Sequence, residues 1–453
     1  VDFPLGIPAT NRLCRLAGLL ILFTATAVID RRTPLYGDFV QFYTTGLIDR
    51  AAAWNALYPA PIANSPHNAG TWRDATAKPQ AVQIAAAHGV DFLPYNFILP
   101  PPASLLFYPL SFADGRTAHQ FWLLASVLAG WATAVQAGLI LQRCAASPTR
   151  WAGFLTLLLA AMPPMRRAVL VANLTPMISA CIGWAVLLLM DEEKPLSSAM
   201  AIVLGTLTKY AAAVLLPIPV IQRRWRTLAS CTIITCAWLG ITLAIMGTGP
   251  FIEFATRIAP TLARSHEQPD NIALAGVLLH ALHTTPPLAA PLTAVLSILR
   301  LLTLSAILLP MVRLGKNGLR NPTVICAAAL SLLGWLLFFS PVAWSHYLIY
   351  LCPLWGWLAC PGDKNHWQRA TAWVAMALIV FSPDQMPAPA FDPWGVHLLL
   401  SLGLMLGLGI ARLSWHGRPA HVLLNPAKHT NYGRAAHATL HPTTRLSRCT
   451  TSS

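Results

Sequence analysis

Tyr36-Gly37-Asp38-Phe39-Val40-Gln41-Phe42-Tyr43 follows closely on an apolar run from Leu13 to Ile29. That run approaches the ~20 residues a helix needs to cross the hydrocarbon of a bilayer. Arg12 and Arg15 stand at its head, which places the N-terminus in the cytoplasm by the positive-inside rule. The run lacks a small-residue cleavage site and reads as a signal anchor. Asp38 then falls at the membrane–water boundary on the far side, at the mouth of whatever bundle the later spans build. Two readings stand side by side. A loop aspartate commonly caps the helix that follows it. A carboxylate at that depth, backed by aromatics, also suits a base acting at the lipid surface.

The remaining composition agrees with a chain that lives in lipid. Of 453 residues, 55% are hydrophobic and 10% charged, against about 25% charged in a soluble protein, and the mean hydropathy is +0.55. Long apolar runs without period-two alternation predict an all-α polytopic integral membrane protein rather than a barrel. The net charge of +15 resides in short clusters between spans and in the tail, so it follows membrane topology and does not indicate nucleic acid. The nine cysteines are scattered with no CxxC pair, and no carboxylate or histidine pair recurs at ligand spacing. Neither a metal nor a cofactor is called for.

In chain order, residues 30 to 117 form a first extracytoplasmic loop. Phe39, Phe42, Tyr43, Leu47, Trp54 and Leu57 recur at helical spacing, with Gln41, Thr45, Asp49 and Asn55 opposite. This pattern predicts a helix lying in the interface plane or an ordinary packed surface helix. Ala81 to His88 reads as a short helix. Pro100-Pro101-Pro102 prevents a helix from starting earlier than about Pro102, and Ala103 to Phe112 is too short to cross. Spans follow at Ala118 to Leu141, Trp151 to Met162 and Leu174 to Met190. Between Lys194 and Arg223-Arg224-Trp225-Arg226 both flanks are basic, so Leu196 to Ile221 predicts a hairpin broken near Lys209. Leu228 to Met246 leads to a second large outer loop, residues 249 to 285, and further spans follow from Pro287 to Ile410. Residues 1 to 411 thus form one transmembrane domain. Residues 412 to 453 form a basic cytoplasmic tail of disordered composition.

Five stretches carry a resemblance. They are Gly37-Asp38-Phe39 with Tyr43, Gly46 and Leu57-Tyr58; Tyr95 to Pro102 with Leu105, Leu106, Pro109 and Leu110; and Asn173-Leu174-Thr175-Pro176 leading to Lys209 and Arg223-Arg224-Trp225. The last two are Asp270 to Gly276 and Ser340-Pro341-Val342-Ala343-Trp344-Ser345-His346. In this order and spacing the chain resembles glycosyltransferase family 87, the polyprenol-phosphate-mannose-dependent mannosyltransferases of bacterial membranes. It departs from the family pattern at Val171-Ala172, where glycine-glutamine is frequent, and at Ala273, where serine is usual. The resemblance implies a GT-C helix bundle of about 10–12 membrane helices in the bacterial plasma membrane, with its active site on the extracytoplasmic face. It implies a polyprenyl-phosphate-sugar donor, a lipid-linked or glycan acceptor, and Asp38 as the catalytic carboxylate.

Residue chemistry points the same way. Transfer from a lipid phosphate needs a base for the acceptor hydroxyl and cations for the departing phosphate. Asp38 suits the first role. Arg166 and Arg167 sit where an outer span end should be poor in positive charge, and arginine suits phosphate. His346 at another outer turn either touches substrate or bonds to backbone. Asn271 either contacts sugar or caps a helix, and Tyr43 belongs with the aromatics behind Asp38. Lys209 reads as structural or as the partner of a carboxylate. The rival readings are a transporter or flippase of a lipid-linked or small anionic substrate, which would gather charges near the midplane, and a non-catalytic scaffold.

Overall fold

Proline begins helix after helix along this chain, because its missing N–H is one the first turn leaves unbonded anyway. The computed structural model describes residues 9–30, 38–60, 77–90, 97–145, 151–191, 194–262, 271–282, 290–360, 365–381 and 393–416. Among these the regular elements are helical, with one isolated bridge between Asn271 and Trp344. The main helices are α1 (Ala9–Asp30), α2 (Phe39–Arg50), α3 (Gly115–Cys144), α4 (Trp151–Ala161), α5 (Pro163–Leu170), α6 (Thr175–Leu189) and α7 (Pro195–Lys209). They continue with α8 (Trp225–Met246), α9 (Leu274–Ala281), α10 (Ala290–Gly318), α11 (Pro322–Phe339), α12 (His366–Val380) and α13 (Pro393–His416). The chain is an all-α polytopic membrane protein.

Among the described residues five helices are long and apolar enough to cross a membrane, in α3, α8, α10, α11 and α13, or six if the bent pair α4–α5 counts as one span. The expectation of about 10–12 was for the whole chain; among the described residues, some apolar runs read as single crossings are shorter or broken as helices. α6 and α7 have 15 residues each and rise only ~22 Å, less than the ~30 Å of a hydrocarbon core. The α4–α5 pair bends by 54° at Pro163-Pro164, where two ring nitrogens cannot donate. The break expected near Lys209 is present. α7 ends at Lys209, Tyr210 takes a left-handed φ of 59°, and a 3-10 turn over Ala211–Leu215 follows.

The first outer loop differs from expectation at α2. The helix forms, but it has no outward polar face: ten of its twelve residues are buried, Thr45 and Asp49 among them. The segment from Phe97 to Phe112 covers it. Phe42 stacks on Phe107 with centroids 4.6 Å apart. Arg50 Nη1 donates to the Ser111 carbonyl at 2.6 Å and Tyr43 Oη to that of Ala113 at 3.0 Å. A Cβ on Gly46 would lie 2.3 Å from the Phe107 carbonyl oxygen, so only glycine admits this contact. The short helix Pro101–Ser104, started by Pro101 and Pro102, belongs to the same cover. A second short helix, Pro79–Ala86, lies close to where Ala81 to His88 was expected.

The two large loops expected outside are joined to each other. Lys78 Nζ pairs with Glu253 Oε1 at 2.9 Å and donates to the Asn55 carbonyl at 2.6 Å, and Arg257 also pairs with Glu253. The Tyr58 ring meets Phe254 at 6.0 Å. Segments so joined stand on one side of the bilayer.

Candidate active site

Asp38 is the residue that opens α2, yet its carboxylate caps nothing there. Its backbone N–H donates instead to the Val171 carbonyl at 2.9 Å, and its Oδ2 accepts a hydrogen bond from Asn173 Nδ2. The same Asn173 side chain turns its oxygen to the start of α6, accepting from Thr175 N at 2.8 Å and from Thr175 Oγ1. With both ends of its amide engaged, Asn173 is fixed in orientation, and it fixes Asp38. The backbone at Ala172 has a left-handed φ of 50°, a conformation that costs a residue with a Cβ about 1 kcal/mol or more. It persists because the turn is held at both sides, on Asp38 and on α6. Trp122 Nε1 from α3 also donates to the Ala172 carbonyl at 2.7 Å.

Three other elements converge there. Lys209, at the end of α7, places Nζ 4.0 Å from the centre of the Tyr347 ring. Arg167 on α5 donates through Nη1 to Ser345 Oγ at 3.2 Å. His346 is buried, packs edge-on to Tyr347 at 4.8 Å, and leaves Nε2 without a partner. Burial first, and then neighbouring charges, act on the titratable groups. Burial pushes the Asp38 carboxyl up from the ordinary carboxylate range, while the Lys209 ammonium and hydrogen bonds from Asn173 and Gln41 pull against it. Burial, followed by the positive fields of Lys209 and Arg167, holds His346 well below its usual pKa, so its imidazole is neutral.

The residues singled out from sequence separate into groups. Asp38, Arg167 and His346 share this site. Arg166 follows a different direction, since successive helical residues point ~100° apart. Tyr43, a candidate for substrate contact, is a fully buried residue of α2 whose hydroxyl donates to the Ala113 carbonyl. Asn271 works between two chain segments. Its Oδ1 accepts from Ala273 N at 3.2 Å and Ala343 N at 2.9 Å, and its Nδ2 donates to the Pro341 carbonyl at 3.1 Å. Asn271 thereby sets the turn that presents Ser345 and His346. Gly37 and Asp270 lie outside the described residues. Sequence reasoning gave Asn173 no chemical role and read Lys209 as structural or as the partner of a carboxylate. The signals were an asparagine two residues before Thr-Pro and a lone cation inside an apolar run.

A carboxylate in the field of Lys209 can accept a proton from a hydroxyl, and the cations Lys209 and Arg167, which both act on His346, can stabilise an anionic leaving group. The profile of glycosyltransferase family 87 matches residues 97–341, more than half of the chain. The chain belongs to glycosyltransferase family 87. No curated protein matches it. Within this glycosyltransferase the match takes in Arg167, Asn173, Lys209 and Asn271 and ends at Pro341. Asp38 precedes it and His346 follows it, and both are joined to it by contacts just described. Membership decides between the enzyme and the transporter or scaffold: the protein uses a sugar donor and an acceptor.

Proposed function

We propose that this glycosyltransferase moves a hexose, mannose by its family likeness, from a polyprenyl-phosphate-sugar to a lipid-linked or glycan acceptor. The transfer takes place on the extracytoplasmic side of a bacterial plasma membrane, with both termini cytoplasmic. Asp38 is the general base. It takes the acceptor hydroxyl's proton while the acceptor oxygen bonds to the sugar C1 and the C1–phosphate bond breaks, its electron pair leaving with the phosphate. Attack opposite the phosphate inverts the anomeric centre, so a β-linked donor gives an α-linked product. Arg167, with Arg166 beside it, attracts the phosphate, and the neutral His346 offers a hydrogen bond to donor or acceptor. Asn271 and Tyr43 support the substrate-facing turn and helix.

The observation that carries this reading is the Asp38 carboxylate held by Asn173 within the field of Lys209, a cation that also acts on His346 together with Arg167. Supplying membranes that contain the protein with labelled polyprenyl-phosphate-mannose tests it. The expected result is a labelled product whose new bond is cleaved by an α-mannosidase. A β-linked product would end the inverting mechanism, and use of a nucleotide sugar in place of the lipid donor would end the donor assignment.

A further inference from the structure

Lys209 emerges at the end of α7, where Tyr210 turns the chain away through a left-handed φ. Its ammonium rests over the Tyr347 ring, a platform backed by Tyr350 at 5.6 Å. Cation–π contact fixes the ammonium's place without using its protons. Among the described residues no acceptor takes a hydrogen bond from Nζ, and no carboxylate pairs directly with it. Arg167, in contrast, already donates to Ser345. Lys209 is half-buried, and the unused donors of its ammonium are open to an anion that enters. The charged and titratable groups around it are Asp38 on α2, Arg167 on α5, and His346, Tyr347 and Tyr350 on the 345–354 segment. Asp38 supplies the negative field but no direct bond, so the donors of Nζ are unspent.

We propose that Lys209 is a cation shared between the base and the donor phosphate, and that donor binding switches it from one to the other. The inference rests on the glycosyl-transfer reading and adds a residue and an order of events to it. In the empty site the ammonium keeps Asp38 ionised. When the lipid phosphate enters, its oxygens accept from Nζ, and Asp38, with less counter-charge, becomes the stronger base. The base is thus strongest only when there is a sugar to transfer. As the C1–phosphate bond breaks, the charge that grows on the phosphate meets the same ammonium.

The test uses the full-length protein in nanodiscs and polyprenyl phosphate, without sugar, as the probe. Lys209→Met is expected to weaken polyprenyl phosphate binding about tenfold or more, the loss of a charge-assisted hydrogen bond. Lys209→Arg is expected to recover much of it. In Asp38→Asn, which folds with Lys209 present, the probe is expected to bind more tightly than in wild type. That gain shrinks when Lys209→Met is added. In transfer assays the acid limb of kcat/KM is expected to move to higher pH in Lys209→Met, since Asp38 then ionises less readily. Wild-type affinity for polyprenyl phosphate in Lys209→Met, or additive effects of the two substitutions, would overturn the proposal. Because binding is read without transfer, a wild-type protein that binds the probe but moves no sugar would refute the transferase reading alone.

Discussion

The Asn173 side chain reaches across 135 residues of sequence to donate to the Asp38 carboxylate, while the Asp38 backbone donates to Val171. One loop therefore holds both the main chain and the side chain of the residue that opens α2. The Gln41 side chain of α2 also bonds this carboxylate, and the Lys209 ammonium acts on it from the end of α7.

Asn173 is accordingly a positioning residue. Asn173→Ala frees the carboxylate to rotate and is expected to lower kcat by about 10- to 100-fold, the scale of a small misplacement of a reacting group, with donor KM little changed. Steady-state kinetics at varied donor concentration separate the two. A raised donor KM with normal kcat would mean that Asn173 binds substrate instead.

The two adjacent arginines are expected to differ. Arg167 reaches Ser345 and lends its field to His346, whereas Arg166 points elsewhere on α5. Arg167→Gln should raise the donor KM and lower turnover, and Arg166→Gln should do so several-fold less. Equal losses from both, measured at matched expression, would restore the pair as a joint phosphate clamp.

Asp49 gives a prediction about stability. It is buried under the Phe97–Phe112 cover, with Ser104 Oγ 3.5 Å from Oδ1 and no partner for Oδ2. Burial pushes its carboxyl up to about 7, the Ser104 bond opposing. The folded state therefore holds this proton more tightly than the unfolded state. Stability is greatest below the unfolded carboxylate range of about 4 and falls as pH rises from there to about 7. Asp49→Asn should raise the melting temperature at pH 8 and flatten the slope below pH 7. Thermal unfolding in detergent across pH 4 to 8 reads this, and a variant less stable than wild type at pH 8 would contradict it.

Lys78 and Glu253 can pair only if the two large loops share one face of the membrane. Single cysteines at Ala60 and Ile252, in a cysteine-free background, are expected to react with an impermeant thiol reagent in intact cells. Ile252 is 59% exposed. Labelling of one position in intact cells and of the other only after lysis would break the loop pairing. Labelling of both only after lysis would reverse the topology.

What could be read from the chain depended on how local the cause was. Apolar composition imposes the helical membrane class everywhere, so that class was plain. The break at Lys209 was legible because basic flanks on both sides of one apolar run demand a return. α2 was legible as a helix but not as a buried one. Thr45 and Asp49 look like an outer face until Phe107 and Ser111 arrive from some sixty residues downstream. Asp38 was singled out by its place after the first span. Asn173 was not, because an asparagine before Thr-Pro is fully explained as a helix cap, and its oxygen is indeed one. Only the fold shows that its nitrogen has other work. Lys209 lacked a visible partner for the same reason, since Asp38, His346 and Tyr347 come from distant parts of the chain.

The central claim is that Asp38 takes the acceptor proton, and one measurement addresses it most directly. Purified wild-type protein and Asp38→Asn, both in nanodiscs, are supplied with labelled polyprenyl-phosphate-mannose and an acceptor extract, and product is followed with time. Asparagine preserves the shape and much of the hydrogen bonding but cannot accept the proton. The variant should fold, retain polyprenyl phosphate binding, and transfer about 100- to 10,000-fold more slowly, the range that general-base catalysis supplies. Transfer by Asp38→Asn at close to the wild-type rate would contradict the account and leave Asp38 as a structural residue at the head of α2.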